Sequence, residues 1–222
     1  MTKTLDSIEL CGVLPDVFRG SENEPPVSGS EIWLRDITLY RGAAYMVEAE
    51  SGTGKSSLCS YIYGNRSDYS GVIRFNGKDI RSFSVNDWCD LRCRHLALLP
   101  QEMRLFPELT AMENIKIKNR LTRCKSREAI MAMLERLEIA HKADVAASRL
   151  SIGQQQRVAV VRALCQPFDF ILLDEPVSHL DSRNNAMVAS LVAAEAAERG
   201  AAVIATSVGY AINLDVTEKF SL

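Results

Sequence analysis

The chain has 222 residues, of which 47% are hydrophobic and 24% are charged, and these proportions are typical of one or two globular domains. Its 26 basic and 28 acidic residues give a formal net charge of −2, which argues against a protein that binds nucleic acid through bulk charge. We expect neither a membrane span nor a signal peptide, because the chain has no run of about 18 apolar residues and its first residues are not an apolar stretch.

Strand and helix patterns alternate along the chain. Segments with the composition of strands are found at residues 32–39, 43–48, 71–76, 168–173 and 201–206. Three of them are continuous apolar runs, which favours a sheet that is covered on both faces. Helical patterns are found at residues 55–64, 127–140, 154–165 and 184–199, and a loop composition at residues 20–30. Ser126 is the expected N-cap of the second helix, and Gly200 is the expected residue after the last helix.

The six cysteines are scattered along the chain and form no Cys-x-x-Cys pair. Cys89 and Cys93 are four residues apart, but no second pair of candidate ligands follows them. Reduced thiols of a cytosolic protein are therefore favoured over a zinc site.

Residues 49–56, Ala-Glu-Ser-Gly-Thr-Gly-Lys-Ser, match the phosphate-loop pattern G-x-x-x-x-G-K-[ST] except at the first glycine. Gly52 and Gly54 allow a turn tight enough to aim backbone N–H groups at phosphates. Lys55 would reach the β- and γ-phosphates, and Ser56 would give an oxygen ligand to Mg²⁺. A surface turn before a helix is the alternative, which the Lys-Ser pair at a strand-to-helix junction disfavours. The expected phosphate-binding residues are Ser51, Gly52, Thr53, Gly54, Lys55, Ser56 and Ser57.

A second apolar strand ends in two carboxylates, Asp174 and Glu175. In phosphate-loop enzymes the Asp at this place holds Mg²⁺, usually through water, and the adjacent Glu polarises the attacking water. By itself this pattern is equally typical of a solvated strand end. Together with the phosphate loop, it favours a nucleotide-hydrolysing site.

The segment Leu150-Ser-Ile-Gly-Gln-Gln-Gln-Arg157 closely resembles the signature motif LSGGQ of ATP-binding cassette (ABC) ATPases. Gln101 resembles the Q-loop glutamine of that family, and Ser178-His-Leu-Asp181 resembles its D-loop. The resemblance covers nearly the whole chain. The segments 105–115 and 154–157 are most similar to the branch that serves lipoprotein release, macrolide export and cell division.

This resemblance implies an α/β fold in one ABC ATPase domain, residues 1–222. Its phosphate-loop NTPase core would be a mostly parallel sheet, with a flanking antiparallel β subdomain. The core would be formed by residues 1–101 and 166–222, and a helical subdomain would be inserted at about 102–165.

The resemblance also implies a site with ATP and Mg²⁺ as cofactors. Two copies, as a homodimer, would close head to tail around two ATP molecules. The residues that would contact ATP across this dimer are Ser151, Gly153, Gln154 and Asp181. Mg²⁺ would be held by Ser56, Gln101 and Asp174, with Glu175, Gln101 and Ser207 as the catalytic residues. Phe18 is the candidate for stacking on adenine, and a place in the core is an equally good explanation for it.

The implied partner is a separate transmembrane permease, which would hold the chain on the cytoplasmic face of the cell membrane. ATP hydrolysis would then drive transport of a substance that this subunit does not specify. The alternative is an ATP-gated regulatory or cell-envelope module with slow or no hydrolysis. A soluble ABC protein of DNA repair or translation is disfavoured, because the chain has one cassette, no heptad run and no basic stripe.

Three departures from the family pattern bear on activity. Ala49 replaces the first phosphate-loop glycine, and alanine fits there only if its φ is negative. Ile152 replaces the first signature glycine and could crowd a nucleotide held by the partner. Ser207 stands where the family has its switch histidine, and the loss of one such contact is expected to slow hydrolysis by about 10²–10³-fold.

Overall fold

The computed structural model describes residues 4–222, so residues 1–3 of the predicted core lie outside the described part of the chain. The strands, in chain order, are β1 (Ser7–Pro15), β2 (Asp36–Tyr40), β3 (Ala44–Glu48), β4 (Tyr69–Phe75), β5 (Lys78–Asp79), β6 (Leu96–Leu99), β7 (Phe170–Asp174), β8 (Ala202–Ser207) and β9 (Glu218–Ser221). The α-helices are α1 (Lys55–Ile62), α2 (Val85–Arg94), α3 (Ala111–Asn119), α4 (Arg127–Arg136), α5 (Ile152–Leu164) and α6 (Ser182–Arg199).

Four strands form an antiparallel sheet in the order β2-β1-β4-β5. Strands β4 and β5 are joined by a tight turn at Asn76 and Gly77, whose φ values are 49° and 77°. Two successive residues with positive φ match the right-handed twist of a hairpin, which is why Asn-Gly is favoured there. All four strands of this sheet lie within residues 7–79.

Five strands form a parallel sheet in the order β6-β7-β8-β3-β9. In its register Asp174 lies beside Thr206, and Glu48 lies beside Ser207. Because the carboxyl ends of parallel strands meet at one edge of a sheet, the segments that follow β3, β7 and β8 are brought together there.

Both faces of the parallel sheet are covered. Along β7, Ile171 and Leu173 belong to the apolar cluster formed with α3, α4, α5 and α6, whereas Phe170 and Leu172 belong to the cluster on the other face with α1 and the antiparallel sheet. This alternation is the two-residue period of a strand. The expected α/β fold is therefore confirmed, with its parallel sheet, antiparallel sheet and helices.

The structure corrects several predicted boundaries. Residues 32–35 are not part of a strand, because the chain turns there with Leu34 at a φ of 61°, and β2 begins only at Asp36. The helix predicted at 127–140 ends at Arg136, since Glu138 has a φ of 54°. Helix α6 begins at Ser182, two residues earlier than predicted, because the Asp181 side chain caps it.

Candidate active site

The phosphate loop connects β3 to α1. Gly52 and Gly54 have φ values of 88° and 102°, a backbone conformation that other residues rarely adopt. Ala49 does not have a positive φ, so alanine at this position causes no backbone strain. The Ala49 N–H donates to the carbonyl of Ser207 at 3.2 Å, which fixes the start of the loop to the end of β8.

Lys55 is the first residue of α1 and is only 5% exposed. Its Nζ donates to the carbonyl of Glu50 at 2.7 Å, and the Thr53 hydroxyl donates to the same carbonyl at 2.9 Å. The loop therefore closes around the ammonium group. A phosphate oxygen could take the place of this carbonyl, because a charged acceptor forms the stronger hydrogen bond.

A cavity of about 260 Å³ opens beside the loop. The residues that line it are Ser51, Gly52, Gly54, Lys55, Ser56, Ser57, Gln101 and Glu175. The structure thus brings together residues that were predicted from three separate motifs. The positive end of α1 faces this cavity, as is typical of anion sites at helix N-termini.

Three oxygen donors could hold a magnesium ion near this cavity. The Ser56 hydroxyl donates to Gln101 Oε1 at 3.4 Å. Asp174, at the end of β7, is buried and accepts a hydrogen bond from the Thr206 hydroxyl at 2.8 Å. Hydroxyl, amide and carboxylate oxygens are the hard ligands that Mg²⁺ prefers. Burial, with a further contribution from Asp174, raises the pKa of the Cys59 thiol well above its ordinary value, so Cys59 adds no charge here.

Glu175 follows directly after β7 with a φ of 50°, which is unusual for a residue with a side chain. Its N–H donates to the Thr206 hydroxyl at 3.2 Å. Its carbonyl accepts hydrogen bonds from Gln156 Nε2 at 3.1 Å and from the Ser178 hydroxyl at 3.3 Å. The backbone N–H and the carbonyl of Glu175 are therefore both hydrogen-bonded, which fixes the turn from which its side chain lines the cavity.

Gln156 and Thr206 were not predicted as site residues. Gln156 lies on α5 and is only 2% exposed, and its Oε1 accepts the N–H of His179 at 3.1 Å. Through this amide, α5 is tied to the loop of residues 175–181. The sequence signal in both cases is a polar residue within a buried segment, but only the fold shows what it contacts.

Ser151 is the N-cap of α5. Its hydroxyl accepts the N–H of Gln154 at 3.3 Å, while Gln154 Oε1 accepts the N–H of Ser151 at 3.0 Å. This reciprocal pair is a capping box, which the sequence left open as an explanation for the serine. A Cβ on Gly153 would lie 3.1 Å from the carbonyl of His179, so glycine permits close contact there. Ile152 is 53% exposed.

Asp181 is exposed and caps α6, accepting the N–H of Asn184 at 2.8 Å. Hydrogen bonds from the backbone and the side chain of Asn184 lower the pKa of Asp181. Phe18 is half-buried, and its Cε2 would lie 3.5 Å from a Cβ on Gly54, so this ring is beside the phosphate loop. It also packs against the cluster that contains α1, which leaves both explanations of Phe18 open.

Ser207 is buried at 2% exposure and lines a second cavity, of about 370 Å³, with residues that include Ala49 and Glu50. Ser207 is not among the residues that line the cavity of Lys55 and Glu175.

Residues 35–178 match the protein-family model described as ABC transporter, so the chain belongs to the ABC transporter family. The ABC transporter ATP-binding protein YtrE of Bacillus subtilis is 35% identical over 82% of this chain and 78% of that protein. The macrolide export ATP-binding/permease protein MacB of Pasteurella multocida is 34% identical over 71% of this chain but 25% of that protein. YbbA of Escherichia coli K12, an uncharacterized ABC transporter ATP-binding protein, is 30% identical over 76% of this chain and 75% of that protein.

Among solved structures, the dimeric structure of MJ0796, a bacterial ABC transporter cassette, has a TM-score of 0.75 at 24% identity, over 90% of this chain and 87% of that one. The same cassette in a post-hydrolysis state with ADP and phosphate has a TM-score of 0.73 at 22% identity. At these identities the likeness supports the fold. The predicted class, an ABC ATPase, is confirmed by the family and the relatives, and these relatives are consistent with the predicted branch of lipoprotein release, macrolide export and cell division.

Proposed function

We propose that the chain binds MgATP in the cavity beside the phosphate loop and hydrolyses it to drive a separate membrane permease. The observation that carries this proposal is the convergence of Lys55, Gln101 and Glu175 on one cavity. The relative MacB is named as both an ATP-binding and a permease protein, and this chain aligns with a quarter of it. Within residues 4–222, none of the helices combines the length and hydrophobicity needed to cross a bilayer.

The residues of the site divide the chemistry among them. Lys55 would exchange the Glu50 carbonyl for oxygens of the β- and γ-phosphates, at the N-terminus of α1. Ser56, Gln101 and Asp174 are the proposed Mg²⁺ ligands, and the bound ion would neutralise charge on the phosphates. Glu175 would orient and polarise the attacking water from its fixed turn. Phe18, beside the phosphate loop, is the proposed ring that stacks on the adenine.

We further propose that two copies associate head to tail. Ser151, Ile152 and Asp181 are exposed, and Ser151 stands at a helix N-terminus that could receive a second phosphate. In this arrangement Ser151, Gly153 and Gln154 of one subunit would meet the γ-phosphate held by the other. Asp181 would act across the same interface.

The proposed permease contact is on the helical segment of about residues 102–165, the inserted subdomain. Apart from Ile152 at the start of α5, three large apolar side chains are exposed in this segment, at Phe106, Ile117 and Leu121. Exposed apolar groups on one segment are typical of a protein contact. The chain would then lie on the cytoplasmic face of the cell membrane.

A second candidate function is an ATP-gated module that responds to binding more than to turnover. The specific observation in its favour is Ser207, which is short, uncharged and outside the cavity of Glu175. Under this alternative the chain would bind MgATP and associate, but hydrolysis would be slow.

The test is MgATP binding measured beside steady-state hydrolysis, on the purified chain and on Lys55→Ala. Lys78→Ala, on the exposed hairpin strand β5, is the matched control for loss of a lysine. We expect binding and turnover that both disappear in Lys55→Ala and persist in Lys78→Ala. Binding without turnover would favour the gated module. Equal binding by Lys55→Ala and the unchanged chain would contradict the proposed site.

A further inference from the structure

The two tryptophans of the chain pack against glycines at the two ends of α1. At the N-terminal end, a Cβ on Gly54 would lie 2.9 Å from Cζ2 of Trp33. Beyond the C-terminal end, a Cβ on Gly64 would lie 2.4 Å from Cη2 of Trp88. Each indole therefore lies so close to the backbone that only glycine fits at that position. Only Trp33 does so at the phosphate loop.

Trp33 is held rigidly behind the loop. It is 1% exposed, and its N–H donates to the Ser30 hydroxyl at 2.7 Å, in the turn that precedes β2. Its indole Nε1 donates to the carbonyl of Thr53 at 3.0 Å. The ring thus makes both a close packing contact with Gly54 and a hydrogen bond to the residue before it.

This hydrogen bond sets the direction of one backbone N–H group. The peptide that joins Thr53 to Gly54 is planar, and in a trans peptide the C=O and the N–H point in opposite directions. Because the indole binds the Thr53 oxygen, the N–H of Gly54 points away from Trp33. Gly54 also lines the cavity of the proposed nucleotide site.

We propose that Trp33 is a positioning residue for the phosphate loop, which holds the Thr53–Gly54 peptide in the orientation that receives the phosphates of ATP. This inference rests on the proposed nucleotide site and adds a residue that acts on it from behind. Trp33 does not itself touch the reacting groups. Trp33 should therefore affect the affinity for MgATP, and should affect the rate at which bound ATP is hydrolysed only weakly.

The test compares the unchanged chain with Trp33→Phe, Trp88→Phe and Lys55→Ala. Phenylalanine keeps an aromatic ring near Gly54 but cannot donate to Thr53. We expect Trp33→Phe to weaken MgATP binding and raise KM by about 3- to 10-fold, the effect of one hydrogen bond, with kcat within about 2-fold. Trp88→Phe, which removes the same group at the other end of α1, should leave both constants within about 2-fold, because it does not contact the loop.

Tryptophan emission gives a second measurement, which leaves Trp33 in place. In Trp88→Phe, Trp33 is the remaining indole, and its emission should change saturably with MgATP because negatively charged phosphates would bind next to the peptide that the indole contacts. In Trp33→Phe, the emission of Trp88 should stay flat during the same titration. Far-UV circular dichroism checks that each variant is folded, and if Trp33→Phe is not, the Trp88→Phe titration decides.

The outcomes separate this inference from the proposed function. Unchanged MgATP affinity and KM in Trp33→Phe would overturn the role of Trp33, as would flat emission in Trp88→Phe while calorimetry detects binding. If the unchanged chain binds no MgATP, or if Lys55→Ala binds it equally well, the proposed site fails and the role of Trp33 fails with it. If Lys55→Ala loses binding and Trp33→Phe does not, the proposed site is supported and the proposed role of Trp33 is contradicted.

Discussion

At the scale of single residues, Ser207 determines how fast we expect this chain to work. It is the last residue of β8, and its carbonyl holds the first residue of the phosphate loop, Ala49. The cavity of about 370 Å³ beside it leaves room for a longer side chain. Ser207 is not among the residues that line the cavity of Lys55 and Glu175, so a longer side chain would be needed to reach the nucleotide from this position.

We predict that Ser207→His raises the rate of ATP hydrolysis. An imidazole can donate a hydrogen bond toward the γ-phosphate, and one well-placed donor of this kind contributes about 10²–10³-fold to a rate. We expect a gain of roughly 10-fold or more, because the residues around position 207 are not adapted to a histidine. Single-turnover hydrolysis with excess protein measures the chemical step. Ser207→Ala is the control and should stay within about 2-fold of the unchanged chain. No gain in Ser207→His would mean that Ser207 is not what limits the rate.

The sequence predicted those site residues that belong to local motifs. Lys55 and Glu175 could be assigned because each follows an apolar strand and their chemistry is set by neighbours in the chain. Trp33, Gln156 and Thr206 could not, because each acts on a partner that is distant in sequence. Trp33, for example, looks like an ordinary strand residue until the chain is seen to turn at Leu34 and bury the indole behind Thr53.

At the scale of elements, α5 connects three parts of the site. It begins at the capping box of Ser151, and Gln156 ties it to the turn at Glu175. At its other end, Arg162 donates to the carbonyls of Met103 and Arg104, which follow Gln101. A displacement of this helix would therefore move three features together: the signature motif at Ser151, the turn at Glu175 and the loop after Gln101.

We predict that Gln156→Leu lowers kcat by about 10-fold with KM within about 2-fold, because it removes one of the two hydrogen bonds to the Glu175 carbonyl without touching the phosphate loop. It should also lower the free energy of unfolding by about 1–3 kcal/mol, since buried partners lose hydrogen bonds. Gln155→Leu is the matched control, because Gln155 lies on the same helix and donates to the carbonyls of Ala147 and Leu150, which precede the helix.

Gln155→Leu should therefore lose stability without losing kcat. Urea unfolding and steady-state kinetics on both variants provide the two measurements. A parallel loss of kcat in both variants would show that Gln156 supports the fold and does not position Glu175.

Some elements were predicted from local signals, but helices α2 and α3 were missed although each begins with a capping box. The capping residues Ser126 and Gly200 mark helix ends as expected, and Gly200 has a φ of 57°. Strand β1 was missed because Gly12 interrupts its alternation, and it is formed by pairing with β2 and β4 on either side. Its stability comes from tertiary pairing, which intrinsic propensity does not report.

At the scale of the whole molecule, the proposed dimer depends on a face that the single chain leaves exposed. Ser151 and Ile152 begin α5, and Asp181 begins α6 close to the contact between Gly153 and His179. These residues belong to two helix starts that lie side by side. A second copy that covers this face would bury Ile152, and burial of its apolar side chain would stabilise the dimer.

We predict that Glu175→Gln forms a dimer in the presence of MgATP, because it binds the nucleotide but does not consume it. Adding Ile152→Asp should return it to a monomer, since a carboxylate would be buried at the interface. Val85→Asp is the control, because Val85 is an apolar residue on α2 that is 78% exposed, more than Ile152. Light scattering after size-exclusion chromatography measures the mass. A dimer that tolerates Ile152→Asp would contradict this interface.

The order of the parallel sheet has a consequence for how the molecule is made. Strand β3, which carries the phosphate loop, pairs with β8 and β9 near the other end of the chain. Such long-range pairings close large loops and are slow to form. During synthesis, β3 cannot complete its pairing until β8 and β9 have emerged, and until then its apolar edges are uncovered and prone to aggregation. The part of the molecule that handles nucleotide is thus assembled late, and a nascent chain acquires it only when its last strands arrive.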